Sequence, residues 1–248
     1  MKKRVTGLFI TCLFFTISGQ RINTSLQYLV KEPTKKESKV PVLIMLHGYG
    51  SNESDLFPIS NSLDGRFMIF SVQAPNMLPQ GGYCWYPLDF LPGQKFKYDY
   101  EAARKSREQI RSFISNACKT YQLDSTHVFL MGFSQGAMMA YDVALSAPKK
   151  IMGVICLSGR ILAETTTLKT DWKAVAGLKF FVGHGKSDNV INISDADKAV
   201  EFLKTKKVSS LLYNNYEMQH TISGKELNDL KGWLTKAIRP IQEGEEKK

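Results

Sequence analysis

The sequence predicts an α/β fold in which a mostly parallel central sheet is flanked by helices, with no large cap. Two observations carry this. Short apolar runs of strand length alternate with longer stretches of helical periodicity. The gap of about 20 residues between the run ending near Ser158 and the run beginning near Leu178 is too short to hold both a connection and a separate cap.

The chain opens with Lys2, Lys3 and Arg4, then the apolar run Val5 to Ile17, then Ser18 and Gly19 before polar sequence begins. That order reads as a secretory signal peptide over residues 1–19, which places a single domain at 20–248 and the mature protein in the periplasm or outside the cell. The run is shorter than the ~20 residues of a spanning helix, so no stable membrane span is expected after its removal. Strand-like runs follow at Val40 to Leu46, Phe67 to Val72, Val128 to Met131, Val154 to Leu157 and Leu178 to Val182, with Leu211 to Tyr216 weaker and Gln27 to Val30 a candidate antiparallel edge. Between Tyr100 and Tyr121, the residues Ala103, Ile110, Phe113, Ile114, Ala117 and Tyr121 recur at helical spacing and mark the face that packs on the sheet. Further helices are expected at Gln135 to Leu145, Ser194 to Leu203 (capped by Ser194 or Asp195) and Lys225 to Ile238. Gly48 to Pro58 and Ala74 to Gly93 read as long loops. In the second, Tyr83, Trp85, Tyr86 and Phe90 suggest a packed wall beside a site, with Tyr83 and Trp85 against the substrate.

Composition narrows the function. The formal charge of +10 becomes +7 when the three positive residues of 1–19 are removed, and the lysines that remain are scattered. Nucleic-acid binding would want a basic stripe with groove-reading or stacking elements, so none is expected. Cys84, Cys118 and Cys156 lack metal-ligand spacing, and with four histidines in the chain no metal site is indicated. Three cysteines in a mature chain leave at least one thiol without an intramolecular partner.

The chemistry is carried by Gly132-Phe133-Ser134-Gln135-Gly136, a G-x-S-x-G pentad set between a strand-like run and a helix-like one. A turn this tight lifts the serine above the sheet, and the helix behind it aims its first amides at the charge that develops there. In the α/β-hydrolase fold the acid and then the histidine follow the serine along the chain. Asp188 and His220 meet that order, and His47 and His127 precede Ser134. His184 with Asp171 is the other allowed pairing, but Asp171 lies well before a strand rather than at its end. The expected catalytic set is Ser134, Asp188 and His220, with the amides of Gln135 and Tyr49 as the oxyanion hole. Gly48 and Gly50 leave the Tyr49 backbone room to turn toward the substrate.

Taken together, Leu46-His47-Gly48-Tyr49-Gly50-Ser51-Asn52-Glu53, Gly81-Gly82-Tyr83-Cys84-Trp85-Tyr86, Gly132 to Gly136, His184 to Asp188 and His220 resemble the phospholipase/carboxylesterase family, which includes acyl-protein thioesterases and small bacterial esterases. The resemblance spans about Tyr28 to Ile238 and implies the same triad and oxyanion amides, no cofactor and no metal. It also implies hydrolysis of carboxylic esters or thioesters. Gln219 departs from the glycine common before the histidine, and an export signal is unexpected for relatives that act on cytosolic acyl-proteins. The leading expectation is a carboxylesterase acting through an acyl-enzyme on small or medium-chain esters. The alternatives are a lysophospholipase or acyl thioesterase and, outside enzymes, an inactive binding module on the same scaffold. Oligomeric state is not legible in the sequence.

Overall fold

The computed structural model describes residues 21–35, 39–92 and 95–238. The expected signal segment, 1–19, lies outside them. The elements in chain order are β1 (Tyr28–Lys31), β2 (Val42–Leu46), β3 (Met68–Val72), β4 (Asn76–Met77), β5 (Tyr83–Cys84), β6 (Leu88–Leu91), β7 (Lys95–Tyr98) and α1 (Tyr100–Thr120). They continue with β8 (Val128–Phe133), α2 (Gln135–Ser146), β9 (Gly153–Leu157), α3 (Trp172–Ala176), β10 (Lys179–Gly185), α4 (Ile193–Thr205), β11 (Ser210–Tyr216) and α5 (Gly224–Ala237).

Seven strands form the central sheet in the order β1-β3-β2-β8-β9-β10-β11. All pairs are parallel except β1 with β3, which are antiparallel with Tyr28 opposite Val72. The central strands read as unbroken apolar runs because both of their faces are covered. Val42, Ile44 and Leu46 of β2 face a core shared with α1, α2 and α4, while Leu43 and Met45 face Phe67, Leu230 and Leu234 on the α5 side. The same alternation holds along β8, β9 and β10, where Phe181 joins the α5 side and Phe180 and Val182 the other.

In α1 the predicted stripe is buried at Ala103, Ile110, Phe113, Ile114 and Ala117, with Tyr121 packed at its edge. Asp99 caps that helix by accepting from the Ala102 amide. The cap of α4 is Asn192, which accepts from the Ser194 amide, so the expected Ser194 and Asp195 lie inside the first turn. The stretch expected as one loop from Ala74 to Gly93 holds the small antiparallel ribbon β4-β5 and also β6, which pairs antiparallel with β7 just beyond it. The connection from Ser158 to Leu178 holds a 3-10 turn at Glu164–Thr167 and the short α3, with no large cap. Among the described residues no helix is long and apolar enough to cross a membrane.

Because β2, β8, β9, β10 and β11 run in one direction, the segments that follow them emerge at one edge of the sheet. Residues far apart in sequence meet there.

Candidate active site

Ser134 sits at that edge between β8 and α2, with φ +53 and ψ −118. This backbone conformation is costly for a residue with a side chain, and its surroundings hold it. A methyl group on Gly132 would lie 2.2 Å from the Gly136 backbone, and one on Gly136 would lie 2.0 Å from the Leu46 carbonyl oxygen. The two glycines of the pentad therefore let β8, α2 and β2 close on one another around the serine.

His220 reaches this position from the loop after β11. Its Nε2 lies 2.9 Å from Ser134 Oγ, and its Nδ1 lies 2.7 Å from Asp188 Oδ2. A carboxylate only accepts, so Nδ1 carries the proton and Nε2 presents its lone pair to the serine hydroxyl. The His220 ring leans on Phe133, with centroids 4.9 Å apart. Its loop is bound to the loop after β10: the amides of Lys186 and Ser187 donate to the carbonyls of Tyr216 and Met218. Gly185 permits that approach, since a methyl there would meet the Met218 and Gln219 carbonyl oxygens at 2.4 Å.

Asp188 is fixed on every side. Its Oδ1 accepts from the amides of Val190 and Ile191, both at 2.9 Å, and Oδ2 also lies 3.3 Å from His184 Nε2. Burial by itself would raise its pKa, but the hydrogen bonds from His184, His220 and the two amides outweigh it and hold the carboxyl well below the usual range. The group stays an anion next to His220. His184, the other histidine in permitted order, is fully buried and donates from Nε2 to the Ile191 carbonyl. Asp171 caps α3 and pairs with Lys149 at the surface.

The loop after β2 lies beside Ser134. A methyl on Gly48 would sit 3.4 Å from Ser134 Cβ, and Tyr49 follows at once, half-buried. Gln135 is the first residue of α2, so its amide has no preceding helical turn to receive it.

Trp85, expected in the wall of the groove, has no surface left to meet a substrate. It is fully buried, and its indole Nε1 donates to the His47 carbonyl at 2.9 Å. Tyr83 is half-buried, and its backbone bonds the glycine loop: the Gly50 amide donates to its carbonyl and its own amide donates to the Ser51 carbonyl.

Sequence reasoning missed two side-chain roles. The Gln135 side chain accepts from the Trp85 amide at 2.8 Å and donates to the Tyr86 carbonyl at 2.7 Å, which locks the aromatic loop to the helix that starts after Ser134. His47 is buried, donates from Nδ1 to the Gly48 carbonyl and accepts from the Ala74 amide at Nε2. It shapes the Gly48–Gly50 loop, and its place between a buried strand and a glycine was the available signal.

The Phospholipase/Carboxylesterase family profile matches residues 27–238. Acyl-protein thioesterase 1 of Kluyveromyces lactis is 28% identical over 231 residues, covering 85% of this chain and 97% of its own. Among solved structures, the Bacillus cereus carboxylesterase superposes with a TM-score of 0.75 at 22% identity, covering 87% of this chain and 96% of that one. Esterase PE8 superposes with a TM-score of 0.72 at 23% identity, covering 86% and 99% respectively. The match spans the sheet and every segment that forms the site, and the chain belongs to the phospholipase/carboxylesterase family of α/β-hydrolases.

Proposed function

We propose that this hydrolase cleaves small or medium-chain carboxylic esters through an acyl-enzyme on Ser134. The observation that carries the reading is the hydrogen-bonded line from Ser134 Oγ through His220 to Asp188, at 2.9 and 2.7 Å, set at the start of α2. Ser134 is a weak nucleophile until a base removes its proton, and His220 Nε2 is positioned to do so. As the Oγ–carbon bond forms, His220 gains the proton and Asp188 stabilises the resulting imidazolium. The carbonyl oxygen takes up the negative charge, and the amides of Gln135 and Tyr49 are the donors assigned to it. Collapse breaks the ester bond, and His220 returns the proton to the leaving alcohol. Water, deprotonated by the same histidine, then releases the acid.

The test is labelling of the protein by a fluorophosphonate, together with hydrolysis of a p-nitrophenyl ester by wild type and Ser134→Ala. Labelling and turnover that survive the substitution would refute the assignment. An acyl thioesterase is the second reading, favoured by the similarity to the Kluyveromyces lactis protein. Comparing kcat/KM for an oxygen ester and a thioester of one acyl group decides between them. We also propose export, from the basic, apolar and small-residue order of residues 1–19. Mass spectrometry of the exported protein should find it beginning near Gln20, and an intact Met1 on the exported product would refute this.

A further inference from the structure

A cavity of about 370 Å³ has a lining that includes Tyr98, Arg160, Ile161, Asp195, Lys198 and Phe202. One wall follows directly from the catalytic turn. A methyl on Gly159 would meet Ala137 Cβ at 2.5 Å and the Ser134 carbonyl oxygen at 3.3 Å, so this stretch of chain lies against the nucleophile turn and Arg160 is the next residue. The opposite wall is the first turns of α4, whose cap Asn192 follows the Ile191 amide bound by Asp188. The cavity is thus lined by residues that directly follow the segment packed on the Ser134 turn and by α4, which follows the segment that holds Asp188.

Arg160 stands out among the partly buried arginines. Arg66 forms a fork on Asp64, at 3.0 and 2.8 Å, and Arg107 reaches Asp142 at 3.3 Å. The Arg160 guanidinium instead lies over the Phe96 ring, with its carbon 3.8 Å from the centroid. Its Nε is sealed from solvent without a partner, and the nearest carboxylate, Asp195 Oδ2, is 3.6 Å from Nη1, beyond hydrogen-bond range. Asp195 is shared with Lys198 at 3.3 Å, and Glu164 is turned to the Tyr98 hydroxyl. Guanidinium has five N–H donors in a fork that fits a carboxylate, and to leave Nε unmatched in a partly desolvated cavity is unfavourable. The rest of the lining is largely apolar, with Ile161, Ala163 and Phe202 suited to a short methylene chain.

We infer that this cavity is a subsite for a carboxylate, and that the enzyme prefers esters whose acyl part ends in one, the half-esters of linear dicarboxylic acids. The assignment rests on the Ser134 esterase reading: the ester carbonyl sits at Ser134 while the far carboxylate receives the Arg160 fork, with Lys198 adding charge at the rim. The acyl-enzyme is then a half-ester of Ser134, and water releases the free dicarboxylate.

The experiment compares p-nitrophenyl half-esters of glutaric, adipic and suberic acids with partners of equal length whose far carboxyl is a methyl ester. In wild type, kcat/KM for the best anionic substrate should exceed that of its neutral partner by at least about 10-fold, in line with a charge-assisted fork. Arg160→Gln should lower this ratio by about 10- to 100-fold, and Arg160→Lys, which keeps the charge without the fork, by less. Asp195→Asn removes the competing anion and should raise the ratio. A wild-type ratio near one, or a ratio unchanged in Arg160→Gln while the neutral ester is still turned over, would overturn the subsite. A larger Arg160-dependent gain on lysophosphatidic acid would overturn its assignment to carboxylates. Failure of the esterase reading is separate: neither substrate series would then show hydrolysis that depends on Ser134.

Discussion

Replacing Glu226 by glutamine should change how the stability of this protein depends on pH. Ser223 and Glu226 have the spacing of a capping box at the start of α5, and the Ser223 hydroxyl does accept from the Glu226 amide. The Glu226 carboxyl, however, turns inward over Gly183, where a methyl group would lie 2.0 Å from Oε1. It is fully buried, and neither oxygen has a hydrogen-bond partner in good geometry, so the nearby Ser223 amide only partly offsets the burial. Burial pushes its pKa from 4.5 up to about 8, and the negative charge of Asp229 adds to the rise. At ~1.4 kcal/mol per pKa unit, the difference between these values is worth about 5 kcal/mol. The sign follows from proton uptake. Between pH 4.5 and about 8 the folded chain holds a proton that the unfolded chain has lost, so stability falls as pH rises through that window. The contribution is complete below the lower value and gone above the upper one. Glu226→Gln stays neutral throughout and fills nearly the same volume, so its stability lacks this component. Urea unfolding of both proteins at pH 5 and pH 8.5 is the assay. The variant should gain several kcal/mol on wild type between the two conditions, while all other titrating groups cancel in the comparison. Parallel pH profiles would show that Glu226 is ionised in the folded state and refute the reasoning.

Ser134→Ala and His220→Ala should each lower kcat by roughly 10⁴- to 10⁶-fold, and the double variant should be no worse than the single ones, because the residues act as a unit. Additive losses, read from steady-state rates on one ester, would contradict this. Asp188→Asn removes a carboxylate held well below its usual pKa, so the stability it loses relative to wild type should be full above about pH 4 and should shrink as acid protonates the wild-type group. Denaturant midpoints from pH 7 down to pH 2 check the sign. Gln135→Ala strands the buried Trp85 amide and Tyr86 carbonyl and should cost about 2 to 4 kcal/mol, together with a loss of kcat/KM as the aromatic loop detaches from α2. Full stability in thermal unfolding would mean those groups find other partners.

What the chain dictates locally was legible before any coordinates. The runs at 40–46, 128–131 and 154–157 read as strands because they are apolar without interruption, and the stripe of α1 read as a helix face because its period is helical. The turn at Ser134 was legible because its G-x-S-x-G pattern lies between a strand-like and a helix-like run, although only Gly132 is demanded by a neighbour within five residues and Gly136 by the distant Leu46 backbone, and the order of Ser134, Asp188 and His220 follows from the order of the strands they terminate. Tertiary structure alone decided the contacts between segments. Trp85 is buried because a glutamine 50 residues later holds its amide, His184 joins Asp188 because the loop after β10 folds back through Ile191, and Arg160 lacks a carboxylate in hydrogen-bond range because α4 stops just short of it. Each depends on how strands and helices distant in sequence come to lie together. A residue's local pattern reports which face it prefers, and the partner waiting on that face is set by the packing of the whole sheet.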